Sequence, residues 1–253
     1  MKTLYRNKRL GTKVCRVEKD DQFYVAKSFP KQLAHLYRNE IYINKQLAHK
    51  HIIPFHYAIM GNNRVTLFFD YAANGDLFEL IHKRSKLVQD MSLVIPKVIK
   101  PLFSAVHYLH INDIVHMDIK PENVLFGQGY HLYLADFGLS IPLNDLIEQQ
   151  RQSTIIGTKA YVSPEQILEH VVDYKKVDIW CLGLLLYELF HRQVPYKLET
   201  CKTKQELLVS FNAVSLKSTR NKNIDFLIYR MLQFDPMDRI DIQEARTLIT
   251  VTV

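Results

Sequence analysis

The sequence predicts an α+β fold in two unequal lobes, a small antiparallel sheet with one helix and then a larger, mainly helical part. Three observations carry this reading. Short alternating apolar runs fill the first seventy positions, the periodicity turns helical beyond Gly75, and brief apolar strands interrupt the helices. The 253 residues are 47% apolar and 23% charged, the composition of a folded globular chain rather than a disordered one. They are read as one domain, 1–253, with a lobe at 1–70, a hinge at 71–75 and a second lobe at 76–253.

Thr3 to Leu10, Val14 to Glu18 and Phe23 to Phe29 read as the first strands, with Asp20-Asp21 as a turn. The spacing of Leu33, Leu36, Tyr37, Glu40, Ile41, Asn44 and Leu47 suits an amphipathic helix with Pro30 near its start. Strands at Phe55 to Met60 and Arg64 to Tyr71 follow, joined by Gly61-Asn62-Asn63. Helical periodicity then marks Asp76 to Lys83, Met91 to His110, Val177 to Phe190, Lys204 to Val214 and Ile224 to Gln233. Short strands at Val124 to Phe126 and Leu132 to Leu134 lie among them. Pro101 removes a helical hydrogen bond, which predicts a kink or a later helix start there.

Composition excludes several function classes. The longest apolar stretch, Trp180 to Phe190, contains Glu188 and is too short to span a bilayer, so no membrane association is expected. The basic N-terminus lacks an apolar core of signal type, which predicts an intracellular protein of cytoplasm or nucleus. Cys15, Cys181 and Cys201 form no C-x-x-C pair, and the eleven histidines show no metal-ligand spacing. None of the eight glycines precedes a lysine and none opens G-x-G-x-x-G, so P-loop and dinucleotide-fold nucleotide sites are excluded. Of the net charge of +7, residues 1–50 carry +8 and the remainder −1. A solvated strand face explains that run better than direct nucleic-acid binding, because aromatics are not interleaved as stacking platforms.

The chemistry-bearing residues come in ordered blocks. His116-Met117-Asp118-Ile119-Lys120-Pro121-Glu122-Asn123 is followed by Asp136-Phe137-Gly138, then Gly157-Thr158 through Pro164-Glu165, Asp178-Ile179-Trp180 and Arg239. This series resembles the catalytic loop, metal-binding triplet and peptide platform of eukaryotic serine/threonine protein kinases. The resemblance implies a bilobal kinase fold and transfer of the γ-phosphate of ATP with Mg²⁺, or Mn²⁺, as cofactor. Such transfer is mostly positioning plus neutralisation of charge on phosphate oxygens. By the same resemblance Asp118 accepts the substrate hydroxyl's proton, Lys120 touches the transferring phosphate, and Asn123 and Asp136 hold metal. Lys27 holds the α/β phosphates, oriented by Glu40, and Asp70, Ala72 and Asp76 belong to the nucleotide site at the hinge. Phe69 takes the position behind the adenine. Thr158, Glu122 and Glu188 are assigned to peptide binding, with Asp76 beside them. Carboxylates there favour arginine, which predicts basic protein substrates. His116, Asp178 and the pair Glu165 and Arg239 are read as structural.

The chain departs from the family pattern at three places. Only Gly11 remains in the phosphate-covering loop, where Lys13 or Arg16 are candidate substitutes. Met117 replaces the usual arginine and Ile141 is apolar where a basic residue is common, so a phosphate on Thr154 finds no cationic pocket. Asn44 puts a polar group where an apolar one usually packs toward Phe137, so the N-terminal lobe is expected to take support from an activating partner or a second copy. Gly11 and Met117 together resemble the compact kinases of large DNA viruses, the baculovirus protein kinase in particular, which implies a host-nuclear enzyme. A eroded loop also admits a second reading, a pseudokinase or scaffold.

Overall fold

The computed structural model describes residues 2–7, 11–145, 157–171 and 173–250. Leu10 and Thr154 lie outside the described residues. Five antiparallel strands form the first sheet: β1 (Lys2–Asn7), β2 (Thr12–Lys19), β3 (Gln22–Pro30), β4 (Phe55–Met60) and β5 (Arg64–Asp70), in the order β1-β2-β3-β5-β4. Asp20 and Asp21, both at positive φ (52° and 58°), make the tight turn between β2 and β3 whose twist matches that of the strands. One helix, α1 (Ala34–Asn44), packs on this sheet through Tyr37, whose ring lies 6.2 Å from that of Phe29.

Pro30 corrects an expectation. It closes β3 opposite Arg64 instead of opening α1. Burial of Phe29 (3% exposed) carries the strand one residue further, and at a strand end the missing proline N–H costs little.

The larger lobe begins with α2 (Leu77–His82), α3 (Lys86–Gln89) and α4 (Met91–Val94), and α4 runs through a π turn at Ile95–Ile99 into α5 (Lys100–Ile111). The Lys100 N–H reaches back five residues to the Ile95 carbonyl. The widened turn comes immediately before Pro101, so the proline is absorbed without a break between the two helices. Two two-stranded sheets follow from β6 (Ile114–Val115), β7 (Val124–Phe126), β8 (Leu132–Leu134) and β9 (Ile141–Pro142), which pair as β6 with β9 and β7 with β8. The remaining helices are α6 (Pro164–Ile167), α7 (Tyr174–His191), α8 (Lys204–Asn212), α9 (Lys222–Met231) and α10 (Ile242–Thr250). The short α3, α4 and α6 and the C-terminal α10 were not expected as separate elements. A four-residue helix is too brief to show a period, whereas Ile242, Ala245 and Ile249 did carry one.

α7 is buried continuously from Val177 to Leu189, the mark of a helix through the centre of a domain. Trp180 is fully buried and stacks on Tyr196 at 5.5 Å. The two lobes are joined behind the cleft by backbone bonds, Ile53 N–H to Leu134 O at 3.0 Å and Leu134 N–H to His51 O at 2.8 Å. Among the described residues no helix is long and apolar enough to cross a membrane, and the three cysteines are free.

Candidate active site

The cleft between the lobes is lined by Val14, Val25, Phe69, Leu125 and Ala135 around Lys27. Strand alternation accounts for the lining: Val25 and Lys27, two apart on β3, share a face, and Leu125 turns to the cleft between buried Val124 and Phe126. Leu125 was missed as a lining residue although that alternation was present. Phe69 is 6% exposed and closes the inner wall, in keeping with its expected position.

Lys27 is the hub of the first polar group. Its Nζ donates to Glu40 Oε1 at 2.8 Å and to Asp136 Oδ1 at 2.9 Å. Burial works to lower the Lys27 pKa, but Asp136 and Glu40 outweigh it and hold the ammonium above its ordinary value. Burial pushes the Glu40 carboxyl up to about 7 despite the lysine charge. Asp136 is held below the usual carboxylate range: burial opposes this, and the charge and hydrogen bond of Lys27 prevail. Asp136 has φ 65°, a left-handed conformation that aspartate tolerates better than most residues.

The second group sits on the other wall. Asp118 accepts from Lys120 Nζ at 2.7 Å, from Thr158 Oγ1 at 2.8 Å and from Asn123 Nδ2 at 3.0 Å, and Lys120 also donates to Thr158 Oγ1 at 2.6 Å. Gly157, at φ 108°, makes this possible, because a Cβ there would stand 2.8 Å from the Met117 carbonyl oxygen. Only glycine brings Thr158 this close to the loop. From below, fully buried Asp178 accepts from the N–H groups of His116 and Met117 (2.8 and 2.9 Å) and from His110 Nε2 (2.9 Å). His116 Nε2 donates to the Ala135 carbonyl at 3.0 Å, and its ring lies 5.0 Å from that of Phe137. Arg239 grips Glu165 by two bonds, at 2.6 and 2.8 Å. These four residues brace the site, as expected of them.

Other assigned residues make further contacts, and Asp70 also lines the cleft. Asp76 caps α2, accepting from the Glu79 N–H at 2.8 Å, and burial raises its pKa. Asp70 accepts from His56 Nε2 at 2.6 Å, while partly buried Ala72 follows it in the hinge. Glu188, 7% exposed, takes the Tyr161 hydroxyl and lies 3.8 Å from His82, whereas Glu122 is exposed beside the cleft. Burial raises the Glu188 pKa. The Arg16 guanidinium lies 4.4 Å over the Phe23 ring and 5.6 Å over that of Tyr71, outside the phosphate region. Lys13 alternates to the face opposite cleft-lining Val14.

The donor set fits a magnesium ion. Asn123 spends its amide N–H groups on Asp118, which leaves its carbonyl oxygen, and nearly half of the Asp136 side chain (47%) is exposed. Magnesium takes oxygen ligands and is commonly held by one or two side chains together with substrate phosphates.

Comparison with known proteins gives a concordant result. A family model described as "Protein kinase domain" matches residues 11–248. CBL-interacting protein kinase 15 of Oryza sativa subsp. japonica is 32% identical over 218 residues, 83% of this chain and 47% of that protein. Aurora kinase C of Mus musculus is 30% identical over 215 residues, 84% of this chain and 74% of that protein. Serine/threonine protein kinase OSK3 of Oryza sativa subsp. indica is 32% identical over 209 residues, 83% and 40% respectively. The chain thus spans about half the length or less of the rice relatives.

Proposed function

The chain belongs to the protein kinase domain family, and on that premise we propose that it is a serine/threonine protein kinase transferring the γ-phosphate of Mg-ATP to protein hydroxyls. The observation that carries the proposal is the joint assembly of two polar groups across one cleft, Lys27 with Glu40 and Asp136, and Asp118 with Lys120, Asn123 and Thr158. A pure binding module has no need of both.

Each residue has a physical task in this reading. Lys27, held by Glu40, presents a fixed positive charge to the α/β phosphates. Asn123 and Asp136 would hold magnesium, which when bound neutralises charge on the phosphate oxygens. Asp118 orients the substrate hydroxyl and accepts its proton. Lys120 offers its ammonium to the transferring group, and Thr158 keeps Asp118 and Lys120 in register. Peptides with arginine before the target serine are the favoured substrates, with exposed Glu122 the main determinant and Glu188 secondary because it is engaged by Tyr161. Support of the N-terminal lobe by a partner or second copy belongs to the same reading.

The test is incubation of the purified chain with labelled ATP, magnesium and a basic protein, beside Asp118→Asn. Transfer by the wild type that vanishes in the variant is expected. Equal incorporation in both would overturn the assignment. ATP binding with no transfer to any protein would favour the pseudokinase reading that the single glycine of the loop suggests.

A further inference from the structure

The Lys27–Glu40 pair exists only while α1 stays against the cleft; Tyr37 and Ile43 bury one side of the helix in apolar core, but its ends add little to its hold. Leu33 offers no side-chain cap, and neither the first turn carries an acid nor the last a base. Asn44 turns inward to donate to the Glu40 carbonyl of its own helix at 2.7 Å, leaving its buried Oδ1 without a partner among the described residues. Asn39, one position before Glu40, makes the contact across the cleft instead. Its Nδ2 donates to the carbonyl oxygens of Gly138 at 3.2 Å and Ser140 at 2.8 Å.

The receiving segment is itself anchored. Ser140 is 2% exposed, and its hydroxyl donates to the His116 carbonyl at 3.2 Å. Its N–H returns to Phe137 O at 3.2 Å, and the next residue, Ile141, pairs with Val115 of β6. The contacts close a ring. Lys27 binds Asp136, the chain runs on to Gly138, Gly138 accepts from Asn39, and the neighbouring Glu40 returns to Lys27. Two adjacent residues of α1 therefore hold both ends of Asp136-Phe137-Gly138, one through the Asp136 side chain by way of Lys27 and the other through backbone.

We infer that Asn39 is a positioning residue for phosphoryl transfer, its side-chain amide tying α1 to the segment after Gly138 so that Glu40 keeps Lys27 aimed at the phosphate site. The inference rests on the kinase reading above for its kinetic part only. The donor matters more than the bulk, because two carbonyl oxygens face it. An aspartate of the same size would turn both attractions into repulsions, whereas alanine would merely remove them.

The experiment compares wild type, Asn39→Ala, Asn39→Asp, Glu40→Gln and the double variant Asn39→Ala/Glu40→Gln. With a basic peptide and Mg-ATP, Asn39→Ala is expected to lower kcat about tenfold and Asn39→Asp more, with peptide KM within about twofold. In the Glu40→Gln background Asn39→Ala should cost less than about twofold, since the two act through one lysine. A merely structural role would instead add in full to Glu40→Gln, and full additivity would overturn the inference. So would Asn39→Asp with wild-type kcat. Amide hydrogen exchange gives a readout independent of activity: residues 34–44 and 138–142 should exchange faster in Asn39→Asp. If the wild type transfers phosphate to nothing, the kinase reading falls by itself, and unchanged exchange in Asn39→Asp would overturn the tether.

Discussion

Met117→Arg restores the residue most related sequences are expected to carry, and here it should be harmful. Met117 is 2% exposed at φ 69° and packs with Val115, Ile141 and Val177, flanked by Leu143, Val171 and Tyr174. Among the described residues a guanidinium in that cluster has no ready partner. Asp178, next to Val177, already accepts from His116, Met117 and His110. An uncompensated buried charge costs roughly 3–5 kcal/mol, and in a chain of this size each 1 kcal/mol lowers Tm by about 2–4 °C. The expected loss is therefore about 6–20 °C in a thermal melt. Met117→Leu, which conserves volume, should cost under about 1.5 kcal/mol. Both variants are to be melted beside wild type at pH 7.5 and assayed for kcat. A Met117→Arg protein melting within about 2 °C of wild type would refute the reasoning, since the cluster would then accommodate the charge.

Three further outcomes are expected. Asp136→Asn and Lys27→Met should each reduce phosphoryl transfer to background while the fold persists; Glu40, already pushed up to about 7, can protonate when its lysine is lost. Retained activity in Asp136→Asn would remove the metal assignment. Gly157→Ala places a Cβ 2.8 Å from the Met117 carbonyl oxygen at a φ of 108°, a strain of about 1–3 kcal/mol. It should lower kcat about ten- to a hundredfold, and unchanged kinetics would show that the loop can shift. Burial, aided by His51 and Lys50, pushes the His49 imidazole down to about 4. The folded state thus holds it neutral, and its contribution is present above about pH 6.5 and lost as pH falls toward 4. Partial exposure limits the effect to on the order of 1 kcal/mol. His49→Gln should accordingly flatten the decline of Tm between pH 7 and 4.5, and parallel curves would contradict it.

Much of the site was legible in the sequence because its residues sit in short contiguous blocks, where local spacing alone fixes their relation. Asp118, Lys120 and Asn123 share one loop, so five residues of chain suffice to bring them together. The sheet was legible for a similar reason, since alternation is a property of neighbours; the misplaced Pro30 and the unread α10 show how its boundaries depend on what packs against them. The sequence by itself determined the element types, the switch of periodicity after Gly75 and the set of polar residues available for chemistry. Tertiary structure alone decided their use. It engaged Glu188 with Tyr161, set Asp76 to capping α2 and Arg16 to covering Phe23 and Tyr71, and closed the Lys27, Asn39, Glu40 and Asp136 ring across 109 positions of chain. The physical reason is the short reach of hydrogen bonds and ion pairs. Whether a carboxylate or amide meets a partner within about 3 Å depends on how distant segments pack, and no local pattern records that distance.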